Sequence, residues 1–170
     1  VESDLVVCGE ACDITHAMRQ MEEHQPDVVI IDIMLEGESG IELMEYIKQR
    51  WPAAKVLVSS AHDEQVFAGR VLRAGAMGYL SKREAICKIV EAIRQVLRGE
   101  VYLSPQMASS LLQRAASGQS LDLDPVASLS DRELQVFEMI GQGLTTREIA
   151  GRLQLKPKTV ESYRKLIKMK

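Results

Sequence analysis

The chain has 170 residues, which is enough for one ordinary domain and a second, smaller one. Hydrophobic residues make up 46% of it and charged residues 26%, as in soluble globular proteins. No apolar run approaches the roughly 20 residues of a membrane helix, so we expect a cytoplasmic protein with no membrane partner. The net charge of −3 hides an asymmetry: residues 129–170 hold nine Lys/Arg against five Asp/Glu, whereas residues 1–128 hold twelve against nineteen. A basic tail on an acidic body favours a polyanionic partner for the tail.

The first hundred residues alternate between strand and helix patterns. Runs of β-branched and other apolar residues predict strands at 5–11, 27–33, 55–61 and 77–82. Amphipathic segments that end at Pro or Gly predict helices at 12–25, 41–51, 64–75 and 84–99. Asp13 is expected to cap the first helix, and Pro26 to end it. Near-continuous apolar strands separated by helices are typical of a parallel sheet covered on both faces.

Polar side chains lie where three of these strands end. Asp32, Ser60 and Lys82 fall at carboxyl ends of strands, the edge where ligands gather in open α/β sheets. Their types suit phosphoryl transfer, with Asp32 as the nucleophile that forms an acyl phosphate. Lys82 would neutralise the phosphoryl oxygens and the Ser60 hydroxyl would donate to one of them. The backbone carbonyl of Met34, with Asp32, would serve a hard cation such as Mg²⁺. The alternative is structural: a turn cap, a solvated cation and a hydroxyl bonded to backbone.

The remaining residues predict a linker and a helical domain. Ser104 as cap and Pro105 at the first position predict a helix, and residues 119–128 have no periodicity and are typical of a linker. Residues 129–170 predict three helices. Two capping boxes open the first two of them, and a proline opens the third. The capping boxes are Ser130 with Glu133 and Thr145 with Glu148. The buried face predicted for the first helix is Leu134, Phe137, Met139 and Ile140.

The third of these helices is rich in Lys and Arg and follows a short helix and a tight turn, which is the helix-turn-helix pattern. Val160 and Ile167 are seven residues apart and are expected to face the core, flanked by Tyr163. Three residues then project outward with donors and acceptors that suit a DNA major groove: Glu161, Ser162 and Lys165. Four others are better placed for phosphates: Lys158, Thr159, Arg164 and Lys168. The alternative is an amphipathic helix with a solvated cationic face.

Four segments carry a family resemblance. DVVIIDIMLEGESGIEL, KVLVSSAHD and GAMGYLSK resemble the third, fourth and fifth strand regions of a response-regulator receiver domain. LTTREIAGRLQLKPKTVESYRK resembles the LuxR-type helix-turn-helix. Together they make the whole chain similar to two-component response regulators of the NarL/FixJ class. The resemblance implies a flavodoxin-like receiver over 1–103, a linker helix and linker over 104–128, and a helix-turn-helix domain over 129–170.

The resemblance also implies roles and partners. Asp32 would be the phospho-acceptor, Ser60 the switch hydroxyl, Lys82 the phosphate-binding lysine and Tyr79 the aromatic switch residue. Glu161, Ser162 and Lys165 would occupy the base-facing positions. A sensor histidine kinase would phosphorylate the receiver, with Mg²⁺ as cofactor. The effector would bind double-stranded DNA as a homodimer, with RNA polymerase as a further candidate partner.

The sequence departs from the family pattern in four places. It starts at what resembles the second strand, so the acidic pair that holds Mg²⁺ and the first helix are absent, and it ends at the recognition helix, before the dimerisation helix. We expect a fragment of a longer protein rather than a degenerate receiver. Glu36 stands where many receivers have proline, and Lys156 stands where the family commonly has a serine cap.

Other functions are weighed against this one. A pseudo-receiver that signals without phosphate would keep the same DNA-binding end. An aspartyl-nucleophile phosphatase is disfavoured, because the positions after Asp32 are the apolar Ile33 and Met34 rather than a second acid. A quorum-type sensor is disfavoured by the alternation of strands and helices, and no enzyme activity is expected. The three cysteines lack zinc-like spacing and are expected to be small buried hydrophobes: Cys8, Cys12 and Cys87.

Overall fold

A computed structural model of the chain describes residues 2–35, 38–116 and 125–170. It divides into two compact units, residues 1–109 and 110–170. The predicted domain limits at 103 and 128 stay predictions. Glu36 and most of the predicted linker lie outside the described residues.

The first unit contains a parallel sheet of three strands in the order β1-β2-β3. The strands are β1 (Val28–Ile31), β2 (Lys55–Ser60) and β3 (Gly78–Ser81). The helices are α1 (Ile14–His24), α2 (Gly40–Arg50), α3 (Glu64–Ala74) and α4 (Lys82–Leu97). Ile31 pairs with Val58 and Ser60 pairs with Ser81, so the three strands end close together. The predicted parallel α/β class is confirmed.

Local sequence signals set the helix ends as predicted. Asp13 caps α1 by accepting a hydrogen bond from the His16 amide, 2.7 Å away, and the chain leaves the helix just before Pro26. Gly75 ends α3 with φ at 108°, a conformation that glycine adopts without strain. Leu57 and Leu80 of the sheet pack against Ala92 and Val96 of α4 to form a buried cluster. This packing holds α4, the helix that begins at Lys82, against the sheet.

The strand predicted at 5–11 is wrong. The structure assigns no strand there, and Val6 and Val7 are 87% and 80% exposed. In the flavodoxin-like strand order 2-1-3-4-5, the second strand hydrogen-bonds to the first and not to the third. The described sheet contains only β1, β2 and β3, so this apolar segment has no strand partner among the described residues. The cysteine prediction is also wrong: Cys8, Cys12 and Cys87 are all exposed.

The second unit is helical. Helix α5 (Pro105–Ala116) crosses the division between the units, and its predicted cap is confirmed by the Ser104 hydroxyl, which accepts from the Met107 amide at 3.1 Å. A 3₁₀ turn (Pro125–Ser128) leads to α6 (Asp131–Gly141), α7 (Thr146–Arg152) and α8 (Pro157–Met169). Both predicted capping boxes are present.

The core of this unit lies between α6, α7 and α8. Its fully buried side chains include Leu134, Ile149, Leu153 and Val160. The prediction that Phe137 is buried is wrong, because this side chain is 44% exposed. Instead four consecutive residues of α6, 133–136, are buried, and two of them are the polar Glu133 and Gln135. Among the described residues, no helix is both long and apolar enough to cross a membrane.

Candidate functional site

Asp32 and Lys82 meet at the carboxyl edge of the sheet. Asp32 directly follows β1, and Lys82 is the first residue of α4, two residues earlier than the start predicted for that helix. The Lys82 ammonium donates to Asp32 Oδ2 at 2.6 Å, and the Met34 amide donates to Asp32 Oδ1 at 3.3 Å. The two side chains of the pair keep 50% and 27% exposure. The pair is therefore preformed and still accessible from solvent.

A glycine closes the loop behind Asp32. The Gly40 amide donates to the Ile33 carbonyl at 2.9 Å, which brings the first turn of α2 against the end of β1. A Cβ atom at Gly40 would lie 2.0 Å from the Asp32 carbonyl oxygen, well inside van der Waals contact. Only glycine fits at this position, because a Cβ atom would collide with a backbone oxygen, which cannot rotate away as a side chain can. The close contact between α2 and Asp32 therefore depends on Gly40.

Ser60 and Tyr79 are joined through a loop residue. The Ser60 hydroxyl is fully buried and accepts from the His62 amide at 3.3 Å. The Tyr79 hydroxyl donates to the His62 carbonyl at 2.8 Å, and the ring is only 1% exposed. The His62 ring in turn lies 5.0 Å from the Phe67 ring. The hydroxyls of Ser60 and Tyr79 are therefore both hydrogen-bonded to the backbone of His62.

The residues around Asp32 do not fit a complete magnesium site. Mg²⁺ takes near-octahedral oxygen ligands, usually with more than one from the protein. Among the described residues no group of three or more His, Cys, Asp or Glu side chains could hold a metal ion. Glu38 is the first described acid after Asp32 along the chain, but its carboxylate accepts from the Ile14 amide at 2.8 Å and so caps α1. The carboxylate of Asp32 and the carbonyl of Met34 are too few donors on their own.

Four of the seven residues predicted to contact DNA lie together on one exposed face of α8. Lys158, Glu161, Ser162 and Lys165 have the spacing i, i+3, i+4, i+7 and are all exposed. The Ser162 hydroxyl donates to the Lys158 carbonyl at 3.1 Å, within the helix. On the opposite side Val160 is fully buried. Of the residues predicted to face phosphates, Lys168 is also exposed, whereas Thr159 and Arg164 are half-buried.

Sequence reasoning missed an ion pair that holds the end of α8. The Lys170 ammonium donates to Glu133 Oε2 at 2.6 Å and to the Ser128 carbonyl at 3.0 Å. The hydrogen bond from Lys170 holds the pKa of Glu133 below its ordinary value, although burial of the carboxyl opposes this shift. The helix period could have indicated this contact. Lys170 lies seven residues after the half-buried Tyr163, and so on the side of α8 that faces the rest of the unit.

Comparison with known proteins identifies the chain. Residues 1–94 match the response regulator receiver domain, and residues 127–170 match the luxR family of bacterial regulatory proteins. The chain belongs to the LuxR-type response regulators. The predicted resemblance to the NarL/FixJ class is confirmed, as is its fold, a receiver followed by a helix-turn-helix. Members of this family are DNA-binding transcription regulators of two-component systems.

Individual relatives cover most of this response regulator. Response regulator GacA of Pseudomonas aeruginosa is 38% identical over 92% of this chain and 71% of its own length. A LuxR-family response regulator from Aurantimonas sp. matches 62% of this chain and 76% of its own, with 34% identity and a TM-score of 0.56. RcsB of Salmonella enterica, solved bound to a promoter in the presence of a phosphomimetic, matches 93% of this chain and 75% of its own, with 25% identity and a TM-score of 0.54.

Proposed function

We propose that this response regulator is phosphorylated on Asp32 by a sensor histidine kinase and controls transcription by binding double-stranded DNA through α8. The observation that carries the first half is the 2.6 Å contact between Asp32 and Lys82 at the carboxyl edge of the sheet. The observation that carries the second half is the exposed polar face of α8 on the helix-turn-helix scaffold.

The chemistry at Asp32 follows from its neighbours. A carboxylate oxygen attacks the phosphorus of the donor while the bond from phosphorus to the donor breaks, so that the kinase regains its free histidine or acetyl phosphate releases acetate. The new acyl phosphate carries charge that the Lys82 ammonium offsets at close range. Solvent access to Asp32, with 27% of its side chain exposed, leaves room for a phosphodonor to approach. The Ser60 hydroxyl is the proposed second donor, and the link through His62 would pass its movement on to Tyr79.

The chemistry at α8 follows from groove geometry. A major groove admits one α-helix, whose exposed face reads base edges. Lys165 would donate to guanine, Glu161 would accept from cytosine, and Ser162 tolerates several bases. Lys158, Thr159, Arg164 and Lys168 would contact phosphates and so give salt-dependent affinity. The promoter complex of RcsB supports DNA as the partner class.

Further partners are part of the same proposal. A homodimer would place two α8 helices on two half-sites about one helical turn apart. RNA polymerase is the further candidate partner of a regulator that binds near a promoter. The proposed action is in the cytoplasm, where the protein would meet both its DNA and its kinase. Receiver domains typically bind Mg²⁺ at the phosphorylation site, but the described residues do not complete such a site in this chain.

Intact mass spectrometry tests the phosphorylation half. The chain is incubated with acetyl phosphate and Mg²⁺, and we expect the addition of one phosphoryl group. Asp32→Asn should abolish the addition, whereas Asp27→Asn, at the opposite end of β1, should not. Addition that survives Asp32→Asn would overturn the assignment of this residue.

The incomplete donor set around Asp32 favours one second candidate, regulation of the same DNA-binding domain without phosphate. This candidate predicts no phosphoryl addition under the same conditions and no change in DNA binding on Asp32→Asn. A protein or small ligand would then set the state of the receiver.

Fluorescence anisotropy tests the DNA half. The probe is a labelled duplex selected from a random-sequence library by the wild-type chain. We expect Lys165→Ala to weaken binding about tenfold, because one base contact is lost. Lys88→Ala removes an equal charge from the first unit and should leave the affinity unchanged. Selection that enriches no duplex would overturn DNA binding.

A further inference from the structure

We propose that Lys170 and Glu133 are positioning residues for DNA recognition: their ion pair fixes the C-terminal end of α8 so that its exposed face fits the groove. This inference rests on the proposed DNA binding of α8. Neither residue faces DNA in the proposal, and both act through the orientation of the helix.

The pair joins three parts of the second unit at one point. Glu133 lies in the first turn of α6, Ser128 ends the 3₁₀ turn before it, and Lys170 directly follows the last residue of α8. The Lys170 ammonium donates two hydrogen bonds, to Glu133 Oε2 at 2.6 Å and to the Ser128 carbonyl at 3.0 Å. The end of α8 is therefore held against the start of the domain.

The Glu133 carboxylate is also held in place within α6, by the capping box. Its Oε2 accepts from the Ser130 amide at 2.6 Å, and the Ser130 hydroxyl accepts from the Glu133 amide at 3.3 Å, which completes the capping box. The side chain is only 4% exposed. A carboxylate with so little solvent contact needs its charged partner, because the loss of one member leaves the other buried and uncompensated.

The two ends of α8 are held by different means. Near its start, Val160 is fully buried, and the turn before it is closed by a hydrogen bond from the Leu155 amide to the Ala150 carbonyl at 2.9 Å. Toward its end Ile167 is only half-buried, and Leu166 and Met169 are 44% and 82% exposed, so apolar burial is weaker there than at Val160. At this end of α8 the ion pair between Lys170 and Glu133, rather than apolar burial, holds the helix in place. It therefore sets the direction of the helix that presents Lys165.

This role differs from a phosphate contact. Lys170 already has two oxygen acceptors within the unit, one of them charged. A lysine that contacts phosphate contributes to the salt dependence of binding, by about one unit in the slope of log affinity against log salt. A positioning lysine contributes to affinity and base selectivity but leaves that slope unchanged. The two roles are separable by measurement.

The experiment compares four single variants of the full chain, and the double variant that combines Lys170→Met with Glu133→Gln, by anisotropy over a series of salt concentrations. Lys170→Met removes the ammonium, and Glu133→Gln removes the carboxylate charge but keeps an oxygen for the capping box. Lys170→Arg is the conservative rescue. Glu148→Gln is the matched control, because Glu148 makes the same capping box at Thr145 but has no lysine bound to it in the structure. The probes are the selected duplex and a mixed-sequence duplex.

We expect Lys170→Met and Glu133→Gln each to weaken binding of the selected duplex about fivefold to tenfold, with a smaller effect on the mixed-sequence duplex. The double variant should bind no worse than either single one, Lys170→Arg should restore most of the affinity, and the salt slope should stay unchanged. The direction of the change in affinity for Glu133→Gln is decisive. Loss of a negative charge near DNA would by itself strengthen binding, whereas the positioning role predicts weaker binding.

Contrary results are equally definite. Unchanged or tighter binding by Glu133→Gln, or a salt slope reduced by about one in Lys170→Met, would overturn the positioning role. Hydrogen exchange of the last turn of α8 separates this inference from the function on which it rests. If no duplex binds even the wild type, the positioning role fails together with the proposed function. Faster exchange in both variants would then mean that the ion pair is structural alone.

Discussion

The two units contain ion pairs of equal length in opposite surroundings. Lys82–Asp32 and Lys170–Glu133 are both 2.6 Å long, but Asp32 keeps 27% of its side-chain surface and Glu133 only 4%. Asp32 accepts one further hydrogen bond, from the Met34 amide, whereas Glu133 is also engaged by the capping box at Ser130. A carboxylate that stays accessible can react, and one that is enclosed and paired can only hold structure.

The largest expected effect is on the backbone that carries Asp32. Gly40→Ala should lower the free energy of unfolding of the first unit by about 3 kcal/mol, because its Cβ would lie 2.0 Å from the Asp32 carbonyl oxygen. Urea unfolding followed by the fluorescence of Trp51, the single tryptophan, measures this unit. Gly69→Ala in α3 is the control, since its Cβ would meet nothing within 4 Å and should stabilise by about 0.5–1 kcal/mol. Equal effects from the two substitutions would contradict the assigned contact.

The next test concerns acid. The Lys170 hydrogen bond lowers the pKa of Glu133 in the folded state below its ordinary 4.5, so the ionised pair stabilises the second unit above that pH. This stability should be lost as the pH falls below 4.5 and through the folded pKa. Hydrogen exchange measures the free energy of unfolding of the second unit across this pH range. This free energy should fall less steeply with acid in Glu133→Gln than in the wild type. Parallel curves for wild type and variant would contradict the stabilising pair.

A buried amide close to Glu133 gives a smaller effect of opposite sign. Gln135 is fully buried, and its Nε2 has no hydrogen-bond partner among the described residues, whereas its Oε1 accepts from Arg132 at 3.0 Å. Gln135→Met should raise the free energy of unfolding of the second unit by about 1 kcal/mol, because an unsatisfied polar group is removed from the core. The exposed Gln142→Met should change it by less than about 0.5 kcal/mol. Calorimetry measures both, and a loss of stability in the first variant would show that the amide is satisfied.

The start of α8 offers a comparable gain. Lys156 occupies the cap position without a side-chain hydrogen bond, in contrast to the Ser130 and Thr145 caps of α6 and α7. Lys156→Ser should stabilise the second unit by about 1 kcal/mol, because the hydroxyl can accept from a free amide of the first turn. Lys156→Ala tests the mechanism by calorimetry, since it should bring no such gain. Equal gains from both variants would point to the removed charge instead.

The smallest expected effect is at the accessible pair itself. Lys82→Met should change the free energy of unfolding of the first unit by less than about 1 kcal/mol, because half-exposed ion pairs contribute little to stability. Trp51 fluorescence in urea measures it. A loss as large as that of Gly40→Ala would remove the distinction between the accessible pair and the enclosed one.

The amino-acid sequence by itself determined what depends on local signals. Capping boxes at Ser130 and Thr145, the proline at the start of α8 and the glycine after α3 fixed the helix ends, because each acts within one turn of the chain. Alternation of apolar strands with helices determined the parallel sheet and so brought Asp32 and Lys82 to one edge.

Only the tertiary structure decided the features that depend on partners distant in sequence. Residues 5–11 have the composition of a strand but form none, because a strand requires a hydrogen-bonded neighbour. Burial of Glu133 and exposure of Phe137 depend on how three helices pack, which the period of α6 does not specify. The pairing of Lys170 with Glu133 spans 37 positions and exists only because the end of α8 returns to the start of α6.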